Sequence, residues 1–149
     1  MDKIFKLILK FIEELFPKPE PSNDNKVMCK YLEIYKNEAR GIMYFRGTKT
    51  AFISGRYGKG RAPVGTYRCY KLIHETRGAF CQHGLGWQVP MEAKFETERF
   101  GLAIHPDGNI EGTLGCIGLS FDSLEENVIV KNLFRDHFEI SNELEVLIC

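Results

Sequence analysis

Several features are scarce in this sequence, and each scarcity removes a class of function. Neither sign of charge is in excess, with 20 lysines plus arginines against 20 aspartates plus glutamates. A nucleic-acid binder needs a basic footprint, so the charge balance gives no case for nucleic acid as the main partner. C-x-x-C pairs are absent. The five cysteines, Cys29, Cys69, Cys81, Cys116 and Cys149, are odd in number and irregularly spaced, which does not read as a disulfide framework. Cys69, His74, Cys81 and His83 fall close together, but their spacing matches no standard zinc pattern. We therefore expect no metal site and no cofactor. Internal repeats are also lacking, as is any apolar run long enough to cross a bilayer.

What is present fits one soluble domain. The chain has 149 residues, 44% of them hydrophobic, enough for an ordinary core. It opens with MDKIFKLILKFIEELF over residues 1–16, where Ile4, Phe5, Leu7, Ile8, Phe11, Ile12, Leu15 and Phe16 recur at helical steps. Lys6, Lys10, Glu13 and Glu14 interrupt the apolar residues and no small-residue cleavage site follows, so this is an amphipathic helix rather than a secretory signal. It is too short to be stable alone. Two readings stay open: packing on its own domain or a second copy, or docking on a membrane surface or partner protein. Residues 17–25, PKPEPSNDN, form a proline-rich linker. The folded domain then occupies residues 26–149.

That domain reads as mainly β, a flattened barrel or sandwich with one internal helix. Tyr31 to Tyr35, Gly41 to Phe45, Ala51 to Ser54 and Thr66 to Leu72 are β-rich, separated by turn residues. Residues 79–98 read as a long loop or irregular hairpin, and Phe100 to His105 as an apolar strand before a tight Asp107-Gly108-Asn109 turn. A helix is expected from Ser123 to about Asp136, capped by Asp122 with Glu125 three residues on. Glu143 to Ile148 closes the chain as a strand.

The chemistry concentrates in residues 99–119, RFGLAIHPDGNIEGTLGCIGL. His105 ends a strand, and Cys116 follows after a turn that folds the chain back, so the two can face each other across a hairpin-like loop. An imidazole beside a thiol raises its thiolate share, which is how a cysteine nucleophile is activated. Gly115 frees the backbone beside it, and the amides around Gly115 and Cys116 offer donors for an oxyanion. A histidine and a cysteine at this spacing alone also fit a turn histidine and a buried structural thiol. Cys116 with His137, in the order of an NlpC/P60-like cysteine peptidase, is a second pairing. A non-enzymatic β-domain that binds cell-wall peptide or a partner protein is a third reading.

The surrounding residues carry a resemblance. Ile104-His105, then Thr113, Gly115, Cys116 and Ile117, with Ala62-Pro63-Val64-Gly65-Thr66-Tyr67 upstream, are similar to the active-site segment of the L,D-transpeptidase catalytic domain, the YkuD-like family. The resemblance covers roughly residues 50–120 and is closest in style to the compact secreted toxins and phage relatives of that family. It departs at Leu114, where the family has a second histidine, at Gly118 in place of arginine or asparagine, at Pro106 in place of glycine, and in a shorter His–Cys interval.

The resemblance implies cysteine-dependent acyl transfer, D-amino-acid exchange or hydrolysis on peptidoglycan stem tetrapeptides. Cys116 is then the nucleophile and His105 the general base, oriented by a backbone carbonyl. Thr113 supports the loop. Arg99 meets a substrate carboxylate or is a strand-edge residue, and Trp87 is a substrate wall or a core tryptophan. Such a substrate lies in the periplasm or cell wall. With no export signal read, access is expected through specialised secretion, phage lysis or membrane association, and an inhibitor protein is a conceivable partner.

Overall fold

The computed structural model describes residues 2–15 and 25–149, with the side chains of residues 13–15 left aside. The proline-rich linker expected over residues 17–25 lies outside the described residues except for Asn25. Three strands come first: β1 (Lys26–Tyr35), β2 (Glu38–Phe45) and β3 (Thr48–Gly55) form an antiparallel meander. The β2–β3 turn is Arg46-Gly47, with φ of 47° and 78°. Two positive φ values in a two-residue turn match the right-handed twist of the strands it joins.

The remaining strands are β4 (Gly65–Cys69), β5 (Ile73–His74), β6 (Cys81–Gln82), β7 (Leu85–Ala93), β8 (Leu102–Pro106), β9 (Ile117–Ser120) and β10 (Leu144–Ile148). Eight of the ten close into a barrel in the order β4-β10-β1-β2-β3-β9-β8-β7, with β7 returning to β4. Closure leaves no long unpaired edge in the ring. The mainly-β barrel expected from sequence, with one internal and one N-terminal helix, is what the chain forms.

Alternating side chains fill the barrel. Val27, Phe45, Phe52, Trp87, Ile104 and Val146 are among those with 1% or less of their surface exposed. The internal helix α2 (Leu124–Ile140) adds Val130 and Phe134, and the Phe134 ring lies 4.9 Å from Phe45 and 5.5 Å from Trp87. Its cap is one residue later than the sequence suggested. Ser123 accepts from the Glu126 amide at 3.2 Å, while Glu126 accepts from the Asp122 amide, so the capping box is Ser123/Glu126. The helix also runs a turn past Asp136, where the His137 ring packs by Phe45 and its Nε2 donates to the Glu143 carbonyl at 2.7 Å.

Residues 79–98 were expected to be a long loop or an irregular hairpin, and the hairpin is what forms: β6 and β7 pair around His83-Gly84, and β7 is a nine-residue barrel strand. Glycines 84 and 86 obscured it, but one makes the turn. The other lets β7 pass Cys81, whose sulfur would lie 2.2 Å from a Cβ at position 86.

The N-terminal helix α1 (Lys3–Leu15) lies on the outside of the barrel. Phe5 and Leu9 pack on Ile42 and Tyr44, Asp2 caps the Phe5 amide at 2.7 Å, and Lys6 pairs with Asp122. Of the readings left open, packing on its own domain is the one seen. Ile4, Leu7, Ile8, Phe11 and Ile12 nevertheless stay exposed. Among the described residues, no helix is long and apolar enough to cross a membrane.

Asn127 of α2 is fully buried and joins helix to barrel. Its side chain accepts from the Trp87 indole at 2.7 Å and donates to the carbonyls of Gln82 and Leu85. Removing it strands three polar groups in a dry core. The expected outcome for Asn127→Ala is a loss of about 2–4 kcal/mol of unfolding free energy in urea titrations. A change below measurement error would mean that water replaces the amide.

Candidate active site

Every residue of β8, LAIHP, and of β9, IGLS, is buried. Continuous apolar strands suit a parallel pair covered on both faces, and β8 and β9 do pair in parallel, with Ile104 opposite Ile117 and His105 opposite Gly118. The hairpin-like arrangement expected around Asp107-Gly108-Asn109 is therefore replaced by a crossover. Residues 107–116 carry the chain back to the start of β8 before β9 begins. Cys116 immediately precedes β9, and so it reaches the same cavity as His105. That cavity has a volume of about 530 Å³, and Tyr57, Phe80, Ile110 and Leu114 supply apolar walls.

His105 is held in one tautomer. Its Nδ1 lies 2.6 Å from the Pro106 carbonyl oxygen, an acceptor, so Nδ1 carries the hydrogen and Nε2 keeps the lone pair. The orienting carbonyl anticipated from sequence is thus that of Pro106. The Phe80 ring stands edge-on to the imidazole at 4.6 Å. With 5% of its surface exposed, the imidazole is pushed by burial down to about 4, against the opposing pulls of the Pro106 carbonyl and Glu75. It is neutral at pH 7.

Cys116 is partly buried, with Sγ 4.0 Å from the Gly101 carbonyl oxygen. Burial raises its thiol above the ordinary range, while the Ala103 amide and the Arg99 guanidinium pull it back. At rest the cavity thus holds a thiol and a neutral imidazole. All five cysteines are unbridged.

The loop carrying Cys116 is knotted through one hydroxyl. Thr113 Oγ1 accepts from the Gly55 amide at 3.0 Å and the Gly115 amide at 3.1 Å, and donates to the Cys116 carbonyl at 2.8 Å. The Thr113 amide donates to the Gly55 carbonyl at 2.7 Å, and the Tyr57 amide to the Thr113 carbonyl at 3.1 Å. Ser54 links the same group, accepting from the Ala62 amide and donating to the Gly115 carbonyl. Gly115 has φ of 131°, and a Cβ there would fall 1.9 Å from Arg99 Nη2, so only glycine fits.

These contacts sort the residues singled out from sequence. His105, Cys116 and Thr113 come together at one cavity. The Gly115 amide, offered as an oxyanion donor, is engaged by Thr113 instead. Of the two readings of Trp87, the core tryptophan is the one seen and the substrate wall is not: it is fully buried in the barrel with its indole bonded to Asn127. Arg99 is not among the residues lining the cavity, because its guanidinium is bound to four main-chain carbonyls behind the loop. His137 does not meet Cys116. It is buried against Glu143 and Phe45 and lines a different depression, with Arg68 and Ile140.

Sequence reasoning overlooked Asp107, read only as a turn residue. It is 1% exposed, its Oδ2 accepts from the Gly112 amide at 3.3 Å, and Oδ1 has no hydrogen-bond partner. A carboxylate one residue past an apolar strand end was the available signal. Phe80 and Tyr57, distant in sequence, gave none. Among the described residues, no group of three or more His, Cys, Asp or Glu is placed to hold a metal ion. No family model, curated protein or solved structure matches the chain.

Two pH measurements test this picture. With no resting ion pair, the rate of Cys116 alkylation by iodoacetamide is expected to rise with pH through 9.0, the ordinary thiol value, and to lack a plateau between about pH 5 and 8. A plateau there would show a thiolate–imidazolium pair. Asp107 is raised by burial from 3.8 to about 6, so its contribution to stability is full below 3.8 and lost as pH rises through 6. The stability of Asp107→Asn relative to wild type is therefore expected to grow by about 1–3 kcal/mol between pH 4 and pH 8 in urea unfolding. A pH-independent difference would place the carboxylate in water.

Proposed function

We propose that Cys116 and His105 are the nucleophile and general base of acyl transfer or hydrolysis on peptidoglycan stem tetrapeptides, in the manner of the YkuD-like L,D-transpeptidases that the sequence resembles. The observation that carries the reading is the imidazole itself. Its Nδ1 is anchored on the Pro106 carbonyl, and it shares one cavity with the cysteine of a Thr-x-Gly-Cys loop.

In this reading the thiol proton passes to His105 Nε2 as Sγ attacks the carbonyl carbon between an L- and a D-centre. The carbonyl π electrons move to oxygen. With the Gly115 amide engaged, the Cys116 amide is the remaining main-chain candidate to donate to that oxyanion. Collapse of the tetrahedral intermediate breaks the C–N bond, and the imidazolium returns its proton to the departing D-amino acid. The thioester left on Cys116 is then attacked by an amine, giving crosslinking or exchange, or by water, giving carboxypeptidase activity. The raised thiol and lowered imidazole mean that proton transfer accompanies attack rather than precedes it.

The raised thiol also suits the alternative of a non-enzymatic binding domain. One experiment separates the two. Tetrapeptide muropeptides are incubated with wild type, Cys116→Ala and His105→Ala, with and without an added D-amino acid, and products are read by mass spectrometry. Loss or exchange of the terminal D-residue is expected with wild type. It should be abolished in Cys116→Ala and lowered about 10²–10⁴-fold in His105→Ala. Muropeptides unchanged by wild type would sink the assignment, and retained binding of them would favour the alternative.

A further inference from the structure

Arg99 lies in the segment between β7 and β8. Its Nη1 donates to the carbonyls of Lys59 and Arg61, each at 3.2 Å, and its Nη2 to those of Gly60 at 3.0 Å and Leu114 at 3.4 Å. Three of these acceptors belong to the loop after β3, and the fourth belongs to the loop that ends in the nucleophile. The guanidinium thus bridges two loops that are also joined through Thr113, Ser54 and the contacts of Arg56 with Glu111. Among the described residues no carboxylate forms an ion pair with it. Carbonyl dipoles solvate its charge without cancelling it, and arginine does not deprotonate to escape. Nη2 also fills the space that a side chain at Gly115, the neighbour of Cys116, would need.

We infer that Arg99 is a positioning residue for the nucleophile: it clamps residues 59–61 to Leu114, fixes the backbone at Gly115, and holds an uncompensated positive charge where the Cys116 sulfur becomes anionic. The inference rests on Cys116 being the reactive thiol, but on no particular substrate. Burial works against the thiolate, and the Ala103 amide and then the Arg99 guanidinium offset it. Glycine at 115 is then required by the clamp as well as by the turn.

The test reads Cys116 alone. Wild type, Arg99→Gln and Arg99→Lys are alkylated with iodoacetamide between about pH 6 and 10, the modified Cys116 peptide is quantified by mass spectrometry, and folding is followed by thermal melting. The midpoint of the Arg99→Gln profile is expected to move up by about one unit, so that modification at pH 8 slows roughly tenfold. Arg99→Lys should fall between, since the ammonium keeps the charge but cannot span four carbonyls. A folded Arg99→Gln protein with the wild-type profile overturns the inference. Should the glutamine variant not fold, the lysine variant decides: a slowed profile supports the clamp and a wild-type profile overturns it. Loss of folding in both also overturns it, because the residue would then hold the barrel rather than one loop. Since no muropeptide is present, failure of the transpeptidase assay and failure of this inference are separately visible.

Discussion

The Thr113 hydroxyl is the contact on which the site depends. It accepts from the last residue of β3 and from Gly115, and donates to the carbonyl of Cys116. A crossover of this length has no secondary structure of its own, and its backbone groups must still find partners where the barrel buries them. One side chain with two acceptor lone pairs and one proton supplies three of those bonds. The hydroxyl therefore fixes the backbone at Cys116, and the parallel ladder of β8 and β9 sets where His105 stands relative to it.

Burial then decides the chemistry. Burial pushes the imidazole down and the thiol up, so each rests in its uncharged form. A neutral imidazole with its Nδ1 hydrogen fixed is available as a base at every pH above about 4. A neutral thiol is a slow target for alkylation and oxidation.

The barrel was legible in the sequence because its strands are short β-rich runs and its turns carry glycine. The helix α2 was legible through its capping residues, with the start displaced by one position because Asp122 and Ser123 are both good caps. The 79–98 segment was legible only as a choice between loop and hairpin, since its glycines serve a turn and a close strand contact and so also look like loop. His105 and Cys116 were found because the pair brackets a turn and a glycine. Their orientation was missed, since nothing local distinguishes a hairpin from a crossover of similar length. Trp87 and Arg99 show the complementary limit. Residue type advertised a substrate wall and a carboxylate ligand, while burial and main-chain carbonyls distant in sequence determined what each side chain touches.

The departures from the motif that the chain resembles are connected by geometry. A side chain at position 118 would collide with the Thr113 methyl and approach Asp107 Oδ1, at 2.8 Å and 3.1 Å from its Cβ. The glycine there is what lets Thr113 and Asp107 pack under the loop. Leu114, where a second histidine would stand, is 71% exposed at the cavity rim, so its side chain is poorly placed to support the loop from within. Its carbonyl does that through Arg99 instead. Pro106 fixes the backbone of the residue whose carbonyl orients His105, a position where glycine would leave the acceptor freer to swing. The loop that carries Cys116 is braced here by a hydroxyl, a buried carboxyl group and a guanidinium bound to main-chain carbonyls, with no second imidazole among them.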